Sequence, residues 1–401
     1  MDAPSHDLAA LDTDAWLARV AEAGPVVERL APEADRARRL SAEAMAALHG
    51  QGLFRLLLPA AYGGAEMKLP VFLAVVEAVA RHDGSAAWCV AQGNGCASLA
   101  GFLEPALAQE IWGRDPSGVL AWGPGKAAAR ATDGGYAVTA RTGFASGSHH
   151  ATWLAAHCTA LENDGTPRLD ARGEPEIRTA LIPAGAVALS DGWDAVGLRG
   201  TGSDGFACDD LFVPEERTVV RATMIDDRPA ISSLHGMPLM SVYAIGFAAV
   251  ALGIARGLFD AFVALAQDKR PRGARFTLQE NPAVHEEVAR ADARIRGARA
   301  FLVEAAEAGA ADLAAAGRMS VDTLMTIRLA GTHAIGEAKA AVDPLYDTAG
   351  TSAVMASSPF ERRFRDIHAV GLQMQARKTH LQTWGSWALG GAVTSDGVNV
   401  G

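Results

Sequence analysis

The stretch Thr142–Trp153, TGFASGSHHATW, sets Ser146, Ser148, His149 and His150 almost side by side. Three chemistries could use such a set: a serine nucleophile with a histidine base, a metal site, or the polar wall of a cofactor pocket. The first lacks its frame. Gly143 stands three residues before Ser146 rather than two, and no carboxylate nearby in sequence orients a histidine. The second suits the spacing poorly. The stretch reads as strand, where adjacent side chains face opposite ways, so His149 and His150 would not share one ion, and no metal is expected. In the third reading a strand end offers backbone N–H groups and a short hydroxyl to the polar edge of a flat ring, with Ala145 and Gly147 small enough to let it approach. A β-turn with a serine cap is the plain alternative.

Other stretches hold polar groups in apolar or turn-rich surroundings. Gln92 and Asn94 lie in the apolar helical run CVAQGNG and need partners if buried. Trp122, Gly123 and Pro124 form a loop in AWGPGKA that could stack on a ring or simply turn around a core tryptophan. GLRGTGS, residues 197–203, is rich in turn residues and hydroxyls, but no helix start of the phosphate-binding kind follows it. His82 and Asp83 read as a surface pair or a helix-start element. Lys269, Arg270, Arg272 and Arg275 cluster in DKRPRGARF, which suits a helix C-terminus or a phosphate. RRFRDIHAVGLQMQ brings Arg365, Asp366, His368 and Gln373 into one segment.

The elements that must carry these residues change character twice. Residues 1–117 are helical in period, as in MAALHGQGLFRLL and VFLAVVEAVARH, with LPAAYGG as a turn. Residues 118–222 read as strands, YAVTAR, WLAAHC, IRTALIP and DDLFVP, with a hairpin signal at DGGY. After a link near Asp226–Pro238, residues 223–401 return to helix, and their glycines and alanines favour close helix packing.

A chain of 401 residues with 49% hydrophobic and 20% charged residues can bury a sizeable core. A formal net charge of -10 argues against a nucleic acid or an anionic membrane as partner. No run reads as long and uncharged enough to span a bilayer, and the acidic start lacks a signal-peptide pattern. The four cysteines lack Cys-x-x-Cys spacing and are expected as reduced thiols of a cytoplasmic protein. No strand-linked Gly-x-Gly-x-x-Gly indicates a nicotinamide site.

LPAAYGG, TGFASGSHHATW, VGLRGTGSDGFACDDLFVP and ALGIARGLFDAFVALAQDKR, in this order, resemble the acyl-CoA dehydrogenase fold. DTAGTSAVMASSPFERRFRDIHAV resembles the C-terminal part of one branch, the oxygenase components of two-component flavin-dependent monooxygenases. The resemblance covers nearly the whole chain. It implies an α+β fold: an N-terminal helical domain, a small central β-barrel or sandwich, and a C-terminal four-helix bundle, assembled as a homotetramer. It implies reduced FMN or FAD supplied by a separate reductase, and oxygenation of a small aromatic or heteroatom-containing substrate through a C4a-hydroperoxide. Ser146 would meet flavin N5, with Trp122, Gly123, Gly147, Ser148 and Arg272 also on the flavin and Gln92 and Asn94 on the substrate. The dehydrogenase reaction needs a positioned base to take an α-proton. The positions that carry it in that class fall near Gln373 and Met374, or near Tyr243, and hold no carboxylate. The monooxygenase branch often carries a second histidine where Gln373 stands here. Acid–base work would then fall to His368, to His149 or His150, or Gln373 would only position substrate. An acyl-CoA dehydrogenase-type enzyme and a non-catalytic binding protein on the same fold remain the alternatives.

Overall fold

The computed structural model describes residues 8–220, 232, 234 and 236–392. The link expected near Asp226–Pro238 and the boundary at 222–223 fall largely outside the described residues. The N-terminal part holds helices α1 (Thr13–Ala37), α2 (Ala42–Gly50), α3 (Leu69–His82), α4 (Gly84–Ala97) and the short α5 (Pro105–Ala108). Asp12 caps α1 by accepting from Ala15 N at 2.8 Å, and Asp83 caps α4 by accepting from Ala86 N at 2.8 Å. The helical run expected through MAALHGQGLFRLL stops at Gly50. A turn follows in which Gly52 adopts φ 71°, a conformation that interrupts a helix.

The middle of the chain forms β1 (Leu120–Trp122), β2 (Gly125–Thr132), β3 (Gly135–Thr142), β4 (Trp153–Leu161), β5 (Ile177–Pro183), β6 (Ala188–Leu189), β7 (Phe206–Pro214) and β8 (Thr218–Val220). All the strand-like runs lie in these strands. They pair as one sheet in the order β6–β7–β3–β2–β4–β5–β8, with β1 parallel to β4. The β2–β3 hairpin turns on Asp133–Gly134, where Gly134 has φ 74°. Between β3 and β4 the sequence expectation fails. Residues 146–150 form a turn, not a strand, with Phe144 at φ 54° and Gly147 at φ 79°. His149 and His150 therefore do not alternate across a strand.

The C-terminal part holds α6 (Leu239–Asp268), α7 (Pro282–Ala316), α8 (Val321–Ala349), α9 (Glu361–Val370) and α10 (Thr379–Ala388). α6 packs against α3 and α8, and the two helical parts share one hydrophobic core that includes Phe72, Val76, Leu252 and Leu345. The sheet has a separate core around Tyr136, Val138, Leu154 and Ile182. α6 departs from another expectation. It is long and apolar enough to cross a membrane by length and composition, yet 89% of its most apolar window is buried inside the protein. All four cysteines are free and buried. Burial pushes the thiols of Cys96 and Cys158 up to about 12 and those of Cys89 and Cys208 upward as well.

The small residues of α6 are where its neighbours come closest. A Cβ on Gly253 would stand 2.3 Å from Glu77 O of α3, and one on Gly257 would stand 2.6 Å from Arg81 O. Backbone on both sides leaves nothing soft to yield. Gly253→Val is therefore expected to lower stability by about 3 kcal/mol or more. Gly336→Ala, on an exposed stretch of α8 where a Cβ meets nothing within 4 Å, is expected to raise it by about 0.5–1 kcal/mol. Urea unfolding of both variants checks the pair; equal effects would contradict the close approach of α3 and α6.

Candidate active site

The two cores meet along a polar seam built from three loops, with α4 on one side. The loops are the β1–β2 connection, the β3–β4 connection and residues 197–205. Gly123 lets the first lie on the second, since a Cβ there would stand 2.0 Å from Gly143 O, and Gly143 N donates to Pro124 O at 2.9 Å. Gly147 N donates to Thr201 O at 2.9 Å, joining the second loop to the third. Leu198 and Gly202, at φ 52° and 51°, bend the third loop inward.

Ser146 lies at the centre of the seam, buried. Its hydroxyl accepts from the Trp88 indole at 3.0 Å and pairs with Ser203 Oγ at 2.7 Å. Ser203 pairs with Thr201 Oγ1 at 2.7 Å, and Thr201 donates to Leu198 O at 2.7 Å. Ser148 turns away from this chain and donates to Gly202 O and Asp204 O at 3.1 and 3.3 Å. The β3–β4 turn thus brings Ser146 to α4 and uses Ser148 to hold the third loop.

The two histidines divide in the same way. His149 Nε2 pairs with Asp204 Oδ2 at 2.8 Å. The other oxygen of Asp204 accepts from Gly192 N and Trp193 N at 2.7 and 2.9 Å. Burial would raise this carboxyl, but the His149 bond and the two N–H groups outweigh it and hold Asp204 below the usual carboxylate range. His150 is half-buried, with Nε2 enclosed and without a hydrogen-bond partner among the described residues. Burial, helped by His149, lowers its pKa to about 4, so the ring stays neutral at neutral pH.

α4 is buried along its whole length, so each polar side chain must be met from within. Asn94 is met entirely by structure: its amide donates to Leu53 O and Val90 O at 2.7 and 2.8 Å and accepts from Leu57 N at 3.0 Å. Gln92 donates to the Tyr243 hydroxyl at 3.1 Å. Burial raises the Tyr243 phenol well above its ordinary range. The rings of Tyr243, Phe247 and Trp88 stack in series, with centroids 5.2 and 3.9 Å apart. This wall ends at Ser146, through the Trp88 indole. Sequence reading missed Trp88, Ser203 and Tyr243 as members of the group. Their signal is weak, because the partners lie 57 to 151 residues apart.

Asp366 of α9 reaches the third loop of the seam, whereas His368 and Gln373 find their partners elsewhere. Asp366 accepts from Leu198 N at 2.6 Å, and Arg365 pairs with Asp35 and Glu361, so the two do not pair with each other. His368 Nδ1 donates to Phe364 O at 2.8 Å and its Nε2 meets Asp343 of α8 at 3.3 Å, sharing no partner with Ser146. Gln373 Oε1 accepts from Gln375 N at 2.7 Å, while its Nε2 is buried without a partner among the described residues. The seam carboxylates Asp83, Asp204 and Asp366 cap helices or hold loop N–H groups. No cluster of metal-ligating side chains occurs among the described residues. At the far end of α6, Arg272 lines a cleft of about 810 Å³ with Lys269, Arg270, Thr351 and Ser352. Lys269 Nζ donates to Ser352 Oγ at 2.7 Å.

The seam carries its own pH dependence. Burial pushes Asp366 up to about 7 from 3.8, and the nearby Asp83 charge adds to this. Between those values the folded protein holds a proton that the unfolded chain releases, so this group makes stability fall as pH rises from about 4 to 7. Asp366→Asn still accepts from Leu198 and is expected to flatten that slope, by a few kcal/mol at most. Urea midpoints at pH 5 and 7 for both proteins test it; an unchanged slope would show that Asp366 ionises normally.

Comparison with known proteins agrees with this architecture. Residues 20–111 match the family described as acyl-CoA dehydrogenase, N-terminal domain, and residues 245–377 match acyl-CoA dehydrogenase, C-terminal domain. The FADH(2)-dependent resorcinol hydroxylase, oxygenase component, of a Rhizobium species is 32% identical over 88% of each chain. The indole-3-acetate monooxygenase of Pseudomonas putida is 30% identical over 84% of each. The crystal structure of 3-HSA hydroxylase from Rhodococcus sp. RHA1 superimposes with a TM-score of 0.86 at 26% identity, covering 96% of this chain and 99% of that one. The relatives are monooxygenases and hydroxylases rather than dehydrogenases, in keeping with a seam whose carboxylates are all committed. The chain belongs to the flavin-dependent monooxygenases, the oxygenase components built on the acyl-CoA dehydrogenase fold.

Proposed function

We propose that this oxygenase takes reduced flavin, FMN or FAD, from a separate reductase and oxygenates a small aromatic substrate at the seam. The observation that carries the reading is Ser146, fixed between Trp88 and Ser203 where the sheet core meets the helical core. The surroundings fit a flavin. A Cβ on Gly143 or Gly147 would meet nothing within 4 Å, so the turn is open beside the serine. Among the described residues, His150 Nε2 and Gln373 Nε2 are buried polar atoms without hydrogen-bond partners. The cations and hydroxyls of the Arg272 cleft, at the far end of α6 from the seam, suit a phosphate of a flavin held by a neighbouring copy of the chain.

When bound, the flavin supplies the electrons that activate O2. Ser146 then holds the ring's central edge by a hydrogen bond, and Gly123, Gly147 and Trp122 border it. Trp88 and Phe247 exclude water, which protects a reactive oxygen species from wasteful breakdown. Gln92 fixes the Tyr243 hydroxyl, which meets the polar group of an aromatic substrate. Asn94 shapes α4 and holds the segment 53–57. His150, neutral and with Nε2 unpaired among the described residues, accepts a proton there. His368 supports the α8–α9 contact, and Gln373 positions substrate. A homotetramer, in the cytoplasm beside its reductase, accords with the exposed apolar side chains Val354, Met355, Leu372 and Leu389.

The test is anaerobic. The purified protein is mixed with reduced FMN or reduced FAD, and oxygen is admitted in a stopped-flow. An oxygen-dependent transient, distinct from both reduced and oxidised flavin and longer-lived than in free solution, is the expected result and names the flavin. Ser146→Ala is expected to shorten its lifetime about tenfold, the loss of one hydrogen bond, and to raise hydrogen peroxide release. Flavin that stays bound when oxidised and is bleached by an acyl-CoA would overturn the reading. An unchanged lifetime in the variant would remove Ser146 from its role.

A further inference from the structure

The hydroxyls at the seam can be given a direction by counting protons. A hydroxyl has one proton to donate and two lone pairs to accept. Thr201 spends its proton on Leu198 O, so at the 2.7 Å contact with Ser203 it can only accept. Ser203 must then donate to Thr201, and at its own 2.7 Å contact with Ser146 it can only accept. Ser146 must donate to Ser203. One lone pair of Ser146 is taken by the Trp88 indole. What remains on Ser146 is one acceptor position and no proton.

We propose that Thr201 and Ser203 are positioning residues that select the redox form of the flavin, by leaving Ser146 able to accept a hydrogen bond but not to give one. The selection rests on the flavin reading above. Reduced flavin carries an N–H at N5, and oxidised flavin carries a bare nitrogen there. The open lone pair of Ser146 matches the first and faces the lone pair of the second. To serve oxidised flavin the chain must reverse: Ser146 donates outward, Ser203 donates to Ser146, Thr201 donates to Ser203, and the Thr201–Leu198 bond is lost. Leu198 O keeps Thr201 N and the Trp193 indole as donors, so reversal costs one hydrogen bond rather than an orphaned carbonyl. One hydrogen bond corresponds to a preference of about tenfold. An oxygenase fed by a separate reductase gains directly from such a bias, since spent flavin leaves and reduced flavin enters.

Thr201→Val tests the device. Thr201 is fully buried, and valine has nearly its shape. Without the Thr201 hydroxyl, Ser203 turns to donate to Ser146. Both lone pairs of Ser146 are then filled and its proton is free, which suits oxidised flavin. The dissociation constants of oxidised and photoreduced FMN and FAD are measured anaerobically by titration, together with the midpoint potential of the bound flavin. In the unaltered protein the reduced form is expected to bind at least tenfold tighter. In Thr201→Val the ratio of the two constants is expected to fall about tenfold, and the potential to drop by about 30 mV, the two-electron equivalent of that factor. Thr201→Ser keeps the hydroxyl and is expected to retain both values. Should Thr201→Val not fold, Ser203→Ala also frees the Ser146 proton and is expected to lower the ratio. A folded Thr201→Val or Ser203→Ala with the unaltered ratio and potential overturns the proposal. So does equal binding of both forms by a protein that still gives the oxygen-dependent transient. Binding of neither form overturns the flavin reading itself.

Discussion

Backbone that leaves a sheet but stays buried must find its hydrogen bonds elsewhere. The β3–β4 connection and residues 197–205 are in that position, enclosed between two hydrophobic cores with no strand to pair with. Side chains answer the demand. Asp366 receives Leu198 N, Asp204 receives Gly192 N and Trp193 N, and Ser148 reaches two carbonyls of the third loop. These contacts come from α9, from the loops themselves and from the β3–β4 turn. The sheet is thereby attached to the helices through a small set of directed bonds rather than a broad apolar face. Within that set, Ser146 is held between Trp88 and Ser203.

The same arrangement explains what was legible in the sequence. Periodicity located α3, α6 and the four longer strands β3, β4, β5 and β7, because each buries a regular face. It misread residues 146–150 as strand, since positive φ at Phe144 and Gly147 leaves no mark in an alternation of polar and apolar residues. It also read past Gly50, where a single turn ends α2. Ser146 was singled out from residue type and motif order. Trp88 and Ser203, which decide what its hydroxyl can do, lie 58 and 57 residues away and meet it only in the fold. Asn94 drew attention for a sound reason, a polar group in an apolar helix, yet its partners are main-chain groups of the segment 53–57 and of its own helix.

The missing base is informative in the same physical sense. A carboxylate placed to remove a proton must be free to take it. Here Asp83, Asp204 and Asp366 are occupied by N–H donors, and the positions near Tyr243 and Gln373 offer a phenol and an amide. Burial holds the phenol protonated and the imidazole of His150 neutral. The phenol and this imidazole are thus uncharged at neutral pH, while the ionised Asp204 is tied to the Gly192 and Trp193 N–H groups.

An enzyme that handles reduced flavin in air makes some hydrogen peroxide whenever transfer fails. Its most oxidisable side chains are then its own thiols, and a thiol reacts as the thiolate. Cys89, Cys96, Cys158 and Cys208 are all buried, and burial raises the pKa of each, so almost none of the reactive form exists at neutral pH. The depth at which the cores hide their cysteines gives the protein chemical endurance: it can leak oxidant over many turnovers without consuming itself.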